Sequence, residues 1–343
     1  MAVTAVIAVD AMGGDLGATA TVPAVVDFLS GYPDVQILLF GSESELCGQL
    51  NGPLREQGWH AQPERLQLID CPQQVDSGDR PAHALRHKRE SSMWRALSAV
   101  AEGRAAACVS AGETGTLMAM GAAVLGTLPG IERPAICTAL PTVSGRVYLL
   151  DLGANVDCDG DTLHQFARMG AARLQVAEQL REPRVALLNI GAEAGKGNRA
   201  VKAAAELLAS DASLNYIGFV EGDALLRGHA DLVVCDGFVG NVALKAIEGT
   251  ARLLIERLRA TGRSRAGWRS WVARPLFKSA LGFLDPAQYN GASLLGLRGV
   301  VVKSHGGADS AGFGHALTVA LAEARGVLPD RIAARLTAAV NSP

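Results

Sequence analysis

The sequence predicts an α/β fold, a three-layer α/β/α sandwich built on a mostly parallel sheet. Six apolar runs carry this reading: residues 5–9, 105–109, 147–150, 185–188, 232–234 and 300–302. Each ends in a short Gly-rich turn with a few polar residues, and helix-like sequence follows most of them. Parallel strands covered on both faces read as such continuous apolar runs. A chain of 343 residues, 49% of them hydrophobic, can bury a core of that size. Ligands of open α/β sheets sit beyond the carboxyl ends of the strands, so the six turns are expected to wall one site. They are small and polar, which suits a compact anion.

The elements follow in order. A strand at 5–9 leads to a helix near 19–30, and a strand at 35–40 to a helix near 43–50. A strand at 66–70 gives way to a polar loop. Ser91 or Ser92 then caps a helix to about residue 103, with Trp94, Leu97, Val100 and Ala101 at helical spacing. Residues 114–131 are uncharged but hold four glycines and a proline, so they read as a buried helix and not a membrane span. Runs at 135–140 and 146–150, joined by a turn at 142–145, read as a hairpin that makes the sheet mixed. The βα rhythm resumes through 161–180, 185–190, 199–209, 216–220 and 232–235, and a long helix is expected from about 242 to 261. A last strand at 299–303 precedes helices near 310–325 and 330–340. The chain reads as one domain over 1–343, with a helical insertion at 252–284.

Composition excludes some classes. The net charge of −2 and the 5% aromatic content give neither a field nor a stacking platform for nucleic acid. None of the six cysteines is paired as CxxC, which suits a reducing cytoplasm, and no secretory signal is read at the start. Between 252 and 278 lie eight basic residues and one acid, leaving the rest of the chain near −9. Trp268, Trp271 and Phe277 interleave with these charges, a pattern that suits an anionic membrane surface or a dimer contact.

The turns supply the candidate chemistry. In DAMGGD, Asp10 precedes Gly13 and Gly14, which let backbone approach a ligand. In SAGETG, Ser110, Gly112, Thr114 and Gly115 open a helix whose free N–H groups suit phosphate, although Glu113 would repel it. Asp157, Asp159 and Asp161 have metal-loop spacing, but Thr162 and Arg168 stand where a calcium loop needs Gly and Glu, so no metal is expected. Asn155 and Asp236 can line the site. Lys196, between glycines, and Asn241 offer donors to an anion or carbonyl, and His305 ends the last strand beside Lys303. Arg86, Lys88 and Arg89 form a basic loop that could dock an acidic partner. No dinucleotide or P-loop fingerprint is present, so no cofactor is expected.

Taken in order, DAMGGD, RPAHALRHKRESSM, CVSAGETGTLM, GIERPA, LDLGANVDCD, ALLNIGAEAGKG, NYIGFVEG, CDGFVGN and QYNGASLLGLRGVVVKSHG resemble the phosphate acyltransferase (PlsX) family of bacterial phospholipid synthesis. The matching segments cover nearly the whole chain. The resemblance implies attack of inorganic phosphate on a long-chain acyl-(acyl-carrier-protein) thioester, giving acyl phosphate. It also implies a fold like phosphotransacetylases and isocitrate and isopropylmalate dehydrogenases, a homodimer, and peripheral association with the inner face of the membrane. Lys196 and Asn241 match the positions carried over as catalytic. Arg86, Lys88 and Arg89 would meet the acidic carrier. The family usually has Asn where this chain has Glu113, and 76–79 keep its pattern only loosely. Phosphotransacetylase-like transfer from a coenzyme A thioester, and a non-catalytic membrane-recruited scaffold, stay open beside this reading.

Overall fold

A computed structural model describes residues 5–51, 64–193, 195–264 and 289–340. Eleven strands form one sheet: β1 (Ala5–Asp10), β2 (Val35–Gly41), β3 (Leu66–Asp70), β4 (Ala107–Ser110), β5 (Ala135–Thr142), β6 (Gly145–Leu150), β7 (Arg184–Asn189), β8 (Asn215–Glu221), β9 (Leu232–Val234), β10 (Ala292–Leu295) and β11 (Val300–Lys303). Their order across the sheet is β3-β2-β1-β4-β11-β10-β5-β6-β9-β7-β8. The helices described are α1 (Ala18–Gly31), α2 (Glu43–Asn51), α3 (Pro81–His87), α4 (Ser92–Ala101), α5 (Thr114–Leu125), α6 (Gly160–Ala177), α7 (Arg199–Ser210), α8 (Gly237–Ser264), α9 (Ser310–Arg325) and α10 (Leu328–Val340).

The layers follow from which side chains each helix buries. On one face, α1 and α9 cover the β2-β1-β4-β11 half through residues such as Val22, Phe28, Phe313 and Leu317. On the same face, α6, α7 and α10 cover the other half through Phe166, Leu208 and Ile332. The opposite face is covered by α4 and α5, with Met93, Leu97, Leu117 and Met120 in the core, and by Ala243, Leu244 and Ile247 of α8.

Local chemistry sets the boundaries. Ser91 caps α4 by accepting from Trp94 N, as its spacing predicts. Helix α5 stops at Gly126, whose φ of 71° suits glycine. Helix α8 begins five residues before the expected start because Asp236 caps it, its Oδ1 accepting from Phe238 N at 2.8 Å. Two elements escape the sequence reading. The seven-residue α3 lies in the loop taken as irregular, and four-residue β10 was not anticipated.

Strand β10 changes the meaning of the turns. Strands β3, β2, β1, β4 and β11 are parallel, and β6, β9, β7 and β8 are parallel. Between them β11-β10, β10-β5 and β5-β6 are all antiparallel, and three such steps reverse direction. The six turns therefore leave the sheet in two opposed sets, not along one edge. Register nevertheless brings the sets close. Val9, Val109, Val302, Ser293, Cys137, Leu150 and Val234 form one rung across the sheet. Asp10, Ser110 and Lys303 follow that rung on one side, and Asp151 and Cys235 on the other. Along the strands the two sets are thus only about 7 Å apart, two residues of rise.

Candidate functional site

The first set of turns is locked together. Asp10 is buried, its Oδ1 accepting from Ser92 Oγ and its Oδ2 from Ser110 Oγ, both at 2.6 Å. Gly112 N donates to Ser110 Oγ at 3.0 Å. Burial pushes the Asp10 carboxyl above its ordinary value, and the two hydroxyls oppose that rise. A Cβ on Gly13 would stand 2.6 Å from Gly112 N, and Gly14, at φ 85°, would meet Gly306 O at 2.7 Å. What these glycines admit here is the backbone of the neighbouring turn.

Glu113 is explained by the same geometry. It is the N-cap of α5, its Oε1 accepting from Gly115 N at 2.9 Å and its Oε2 from Thr116 N at 2.6 Å. The N–H groups that looked free for an anion are therefore occupied by a carboxylate of the chain itself. Thr114 still faces the adjoining groove.

In the second set, buried Asp151 is the centre. Its Oδ1 accepts from Ile136 N at 2.9 Å and Leu152 N at 2.6 Å, and its Oδ2 from Asn155 N at 2.7 Å. Asn155 Nδ2 also donates to Pro134 O at 2.8 Å. Asp236 joins α8 to the loop before α6, its Oδ2 accepting from Cys158 N at 2.9 Å. These residues hold Asn241 against Gly153. The Asn241 side chain is exposed, and its amide donates to no described side chain or carbonyl.

A groove of about 770 Å³ lies between the two sets, under α8. Ile136, Leu140, Leu152, Leu244 and Ile247 give it apolar walls. At its polar end stand Asn241, Lys245, Lys303 and His305. Lys303 is half-buried, and its Nζ donates to Ala111 O at 3.2 Å and to Ser304 O. Burial lowers its ammonium to about 8, Glu113, Asp10 and Asp15 opposing and Lys245 adding to that fall. His305 N donates to Asn290 Oδ1 at 2.8 Å, and its ring lies 3.1 Å from Lys245 Nζ. Burial, and then Lys245, hold the imidazole below its ordinary value.

The remaining candidates lie around this centre. Lys196 is exposed on the turn after β7, outside the groove lining, and its backbone is held by Asn189. Arg86 is exposed at the end of α3. Lys88 is tied to Asp76 and Asp79 at 3.2 and 3.3 Å, and Arg89 lies over the Trp94 ring at 5.4 Å. Helix α3 packs against α5, whose first residue, Thr114, lines the groove. Trp268, Trp271 and Phe277 lie outside the described residues. Sequence reasoning missed Lys245 at the site. Its signal was present, since a residue four after Asn241 shares its helix face. No helix among the described residues is long and apolar enough to cross a membrane.

Comparison with known proteins agrees in name and in fold. The model of the fatty acid synthesis protein family matches residues 5–328. The chain is 49% identical over 337 residues to a phosphate acyltransferase of Vibrio campbellii, covering 97% of this chain and 96% of that protein. It is 48% identical over 334 residues to a phosphate acyltransferase of Aeromonas salmonicida, covering 97% of each. A phosphotransacetylase of Streptococcus pyogenes shares the fold at a TM-score of 0.60 and 17% identity, over 94% of both chains.

Proposed function

The chain belongs to the phosphate acyltransferase family, and we propose that it moves a long-chain acyl group from an acyl-carrier-protein thioester to inorganic phosphate. The observation that carries this reading is a groove with apolar walls and a polar end. An extended acyl chain fits the walls, with its thioester beside Asn241. A phosphate oxygen then attacks the thioester carbonyl carbon. The C–O bond forms, the C–S bond breaks, and the thiolate leaves with the carrier. Phosphate is already anionic at neutral pH, so positioning and oxyanion stabilisation do more than a strong base. The unpaired Asn241 amide donates to the carbonyl oxygen as charge develops there. Lys196, on the exposed turn after β7, meets the thioester from the solvent side. Asp10, Gly13, Gly14, Ser110, Gly112, Gly115, Asn155 and Asp236 hold the two sets of turns in place, and Thr114 borders the groove. The acidic carrier docks near exposed Arg86 and Arg89, and Lys88 fixes the loop that presents them.

The test is direct. The protein is incubated with palmitoyl-carrier protein or acetyl-coenzyme A, each with phosphate, and acyl phosphate is trapped as the hydroxamate. Palmitoyl phosphate is expected to form much faster. Faster turnover of acetyl-coenzyme A would favour the phosphotransacetylase-like reading. Asn241→Ala is expected to lower kcat by about 10²–10³, and Lys196→Ala to lower it too. Silent substitutions at both positions would leave only a scaffold role.

A further inference from the structure

We propose that Lys303, Lys245 and His305 form the seat for the attacking phosphate, a role that rests on the acyl-transfer reading above. The first observation concerns two donors. Gly307 N donates to His305 Nδ1 at 3.1 Å, so Nδ1 is an acceptor and the ring proton lies on Nε2. That Nε2 stands 3.1 Å from Lys245 Nζ, which Glu248 Oε2 holds at 3.0 Å. An N–H and an ammonium thus meet with no acceptor between them. One oxygen of a tetrahedral anion, lying between the two, satisfies both.

The second observation concerns Lys303. Its ammonium is half-buried at the end of β11 and, among the described residues, donates only to the carbonyls of Ala111 and Ser304. It forms no ion pair with a carboxylate among the described residues, although withdrawing an ammonium from water is costly unless it is paired. It lines the same groove as Lys245 and His305. A small dianion there supplies the missing counter-charge, and the apolar walls beside it reject a large polar ligand. With phosphate in this seat and the carbonyl at Asn241, one helix presents both reactants, since Asn241 and Lys245 are four residues apart on α8.

The experiment measures inorganic phosphate binding by calorimetry on the whole chain, beside steady-state kinetics. Lys245→Met and Lys303→Met are each expected to weaken phosphate binding at least tenfold. The KM for phosphate should rise as much, and the KM for palmitoyl-carrier should stay within about twofold. Asn241→Ala should keep phosphate binding and lose kcat. Unchanged phosphate affinity in both lysine variants would overturn the proposal, as would an equal loss of phosphate binding in Asn241→Ala. Lys245 is on an exposed helix face, so its variant decides the matter if Lys303→Met fails to fold. Should the wild type bind phosphate through these lysines yet make no acyl phosphate, the seat stands and the acyl-transfer reading falls.

Discussion

At the scale of single residues, the informative positions are those that break a local rule. Glu113 breaks one in the sequence, because a carboxylate at an anion-binding turn looks wrong. The structure removes the conflict by using it as the cap of α5, and that occupied helix start directs attention to the cations across the groove. Lys303 breaks another, as a half-buried ammonium with no carboxylate paired to it among the described residues. Its folded value of about 8 lies below the ordinary 10.5. A base lowered in this way costs stability as pH falls from about 10.5 to about 8, and the full cost persists below that. Lys303→Met should therefore melt higher than the wild type at pH 7, with the difference closing above pH 10. Phosphate works in the opposite sense, since its charge favours the ammonium. Phosphate binding by the wild type should weaken as pH rises through about 8, and phosphate should raise the melting temperature of the wild type but not of Lys303→Met. A variant that melts lower at pH 7 would show that Lys303 is paired in solution. The groups facing it are Glu113, Asp10 and Asp15, which favour its charge, and Lys245, which opposes it.

At the scale of elements, the strands and most helices were legible because each carries its own punctuation. Apolar runs stop at Gly-rich turns, and Ser91 and Asp159 mark the starts of α4 and α6. The convergence of the turns was legible only in part. Reversal of the second half depends on β10 pairing with β11 and β5, and four residues carry too little periodicity to announce a strand. The groove was not legible at all, since its walls come from β5, α8 and residues far apart in sequence. Its polar end, by contrast, was half legible. His305 and Asn241 stand in Gly-rich stretches of sequence, whereas Lys245 looks like any exposed helix lysine. The groove makes α8 an element with a testable role. Ala251 lines it ten residues beyond Asn241, about 15 Å along the helix. Ala251→Trp should block that part and leave the polar end intact. Turnover of palmitoyl-carrier should fall at least tenfold, and that of a butyryl-carrier should change little. Equal losses on both substrates would place the acyl chain elsewhere.

At the scale of the whole molecule, α8 carries a second face that the chain leaves open. Phe238, Val242 and Leu253 are 65%, 55% and 55% exposed, and their spacing puts them on one stripe of the helix. Exposed apolar stripes of this kind mark contact surfaces. The basic sequence at 252–278 begins within the same helix, and its residues from 265 onward lie outside the described ones. Contact between copies and contact with a membrane are separable because they rest on different forces. A second copy would cover the apolar stripe, whereas an anionic surface would attract the arginines and Lys278 of the basic sequence. Pairing would also put two basic segments in one assembly, and linked weak sites bind a surface far more tightly than one. Leu253→Glu should therefore shift the light-scattering mass from two chains to one, and weaken co-sedimentation with phosphatidylglycerol vesicles without abolishing it. Trp268→Glu with Trp271→Glu should do the reverse, keeping the two-chain mass and losing the vesicles. A wild type that runs as one chain would refute pairing through α8. Vesicle binding unchanged by the tryptophan substitutions would remove the basic segment from the membrane and leave it to the carrier protein.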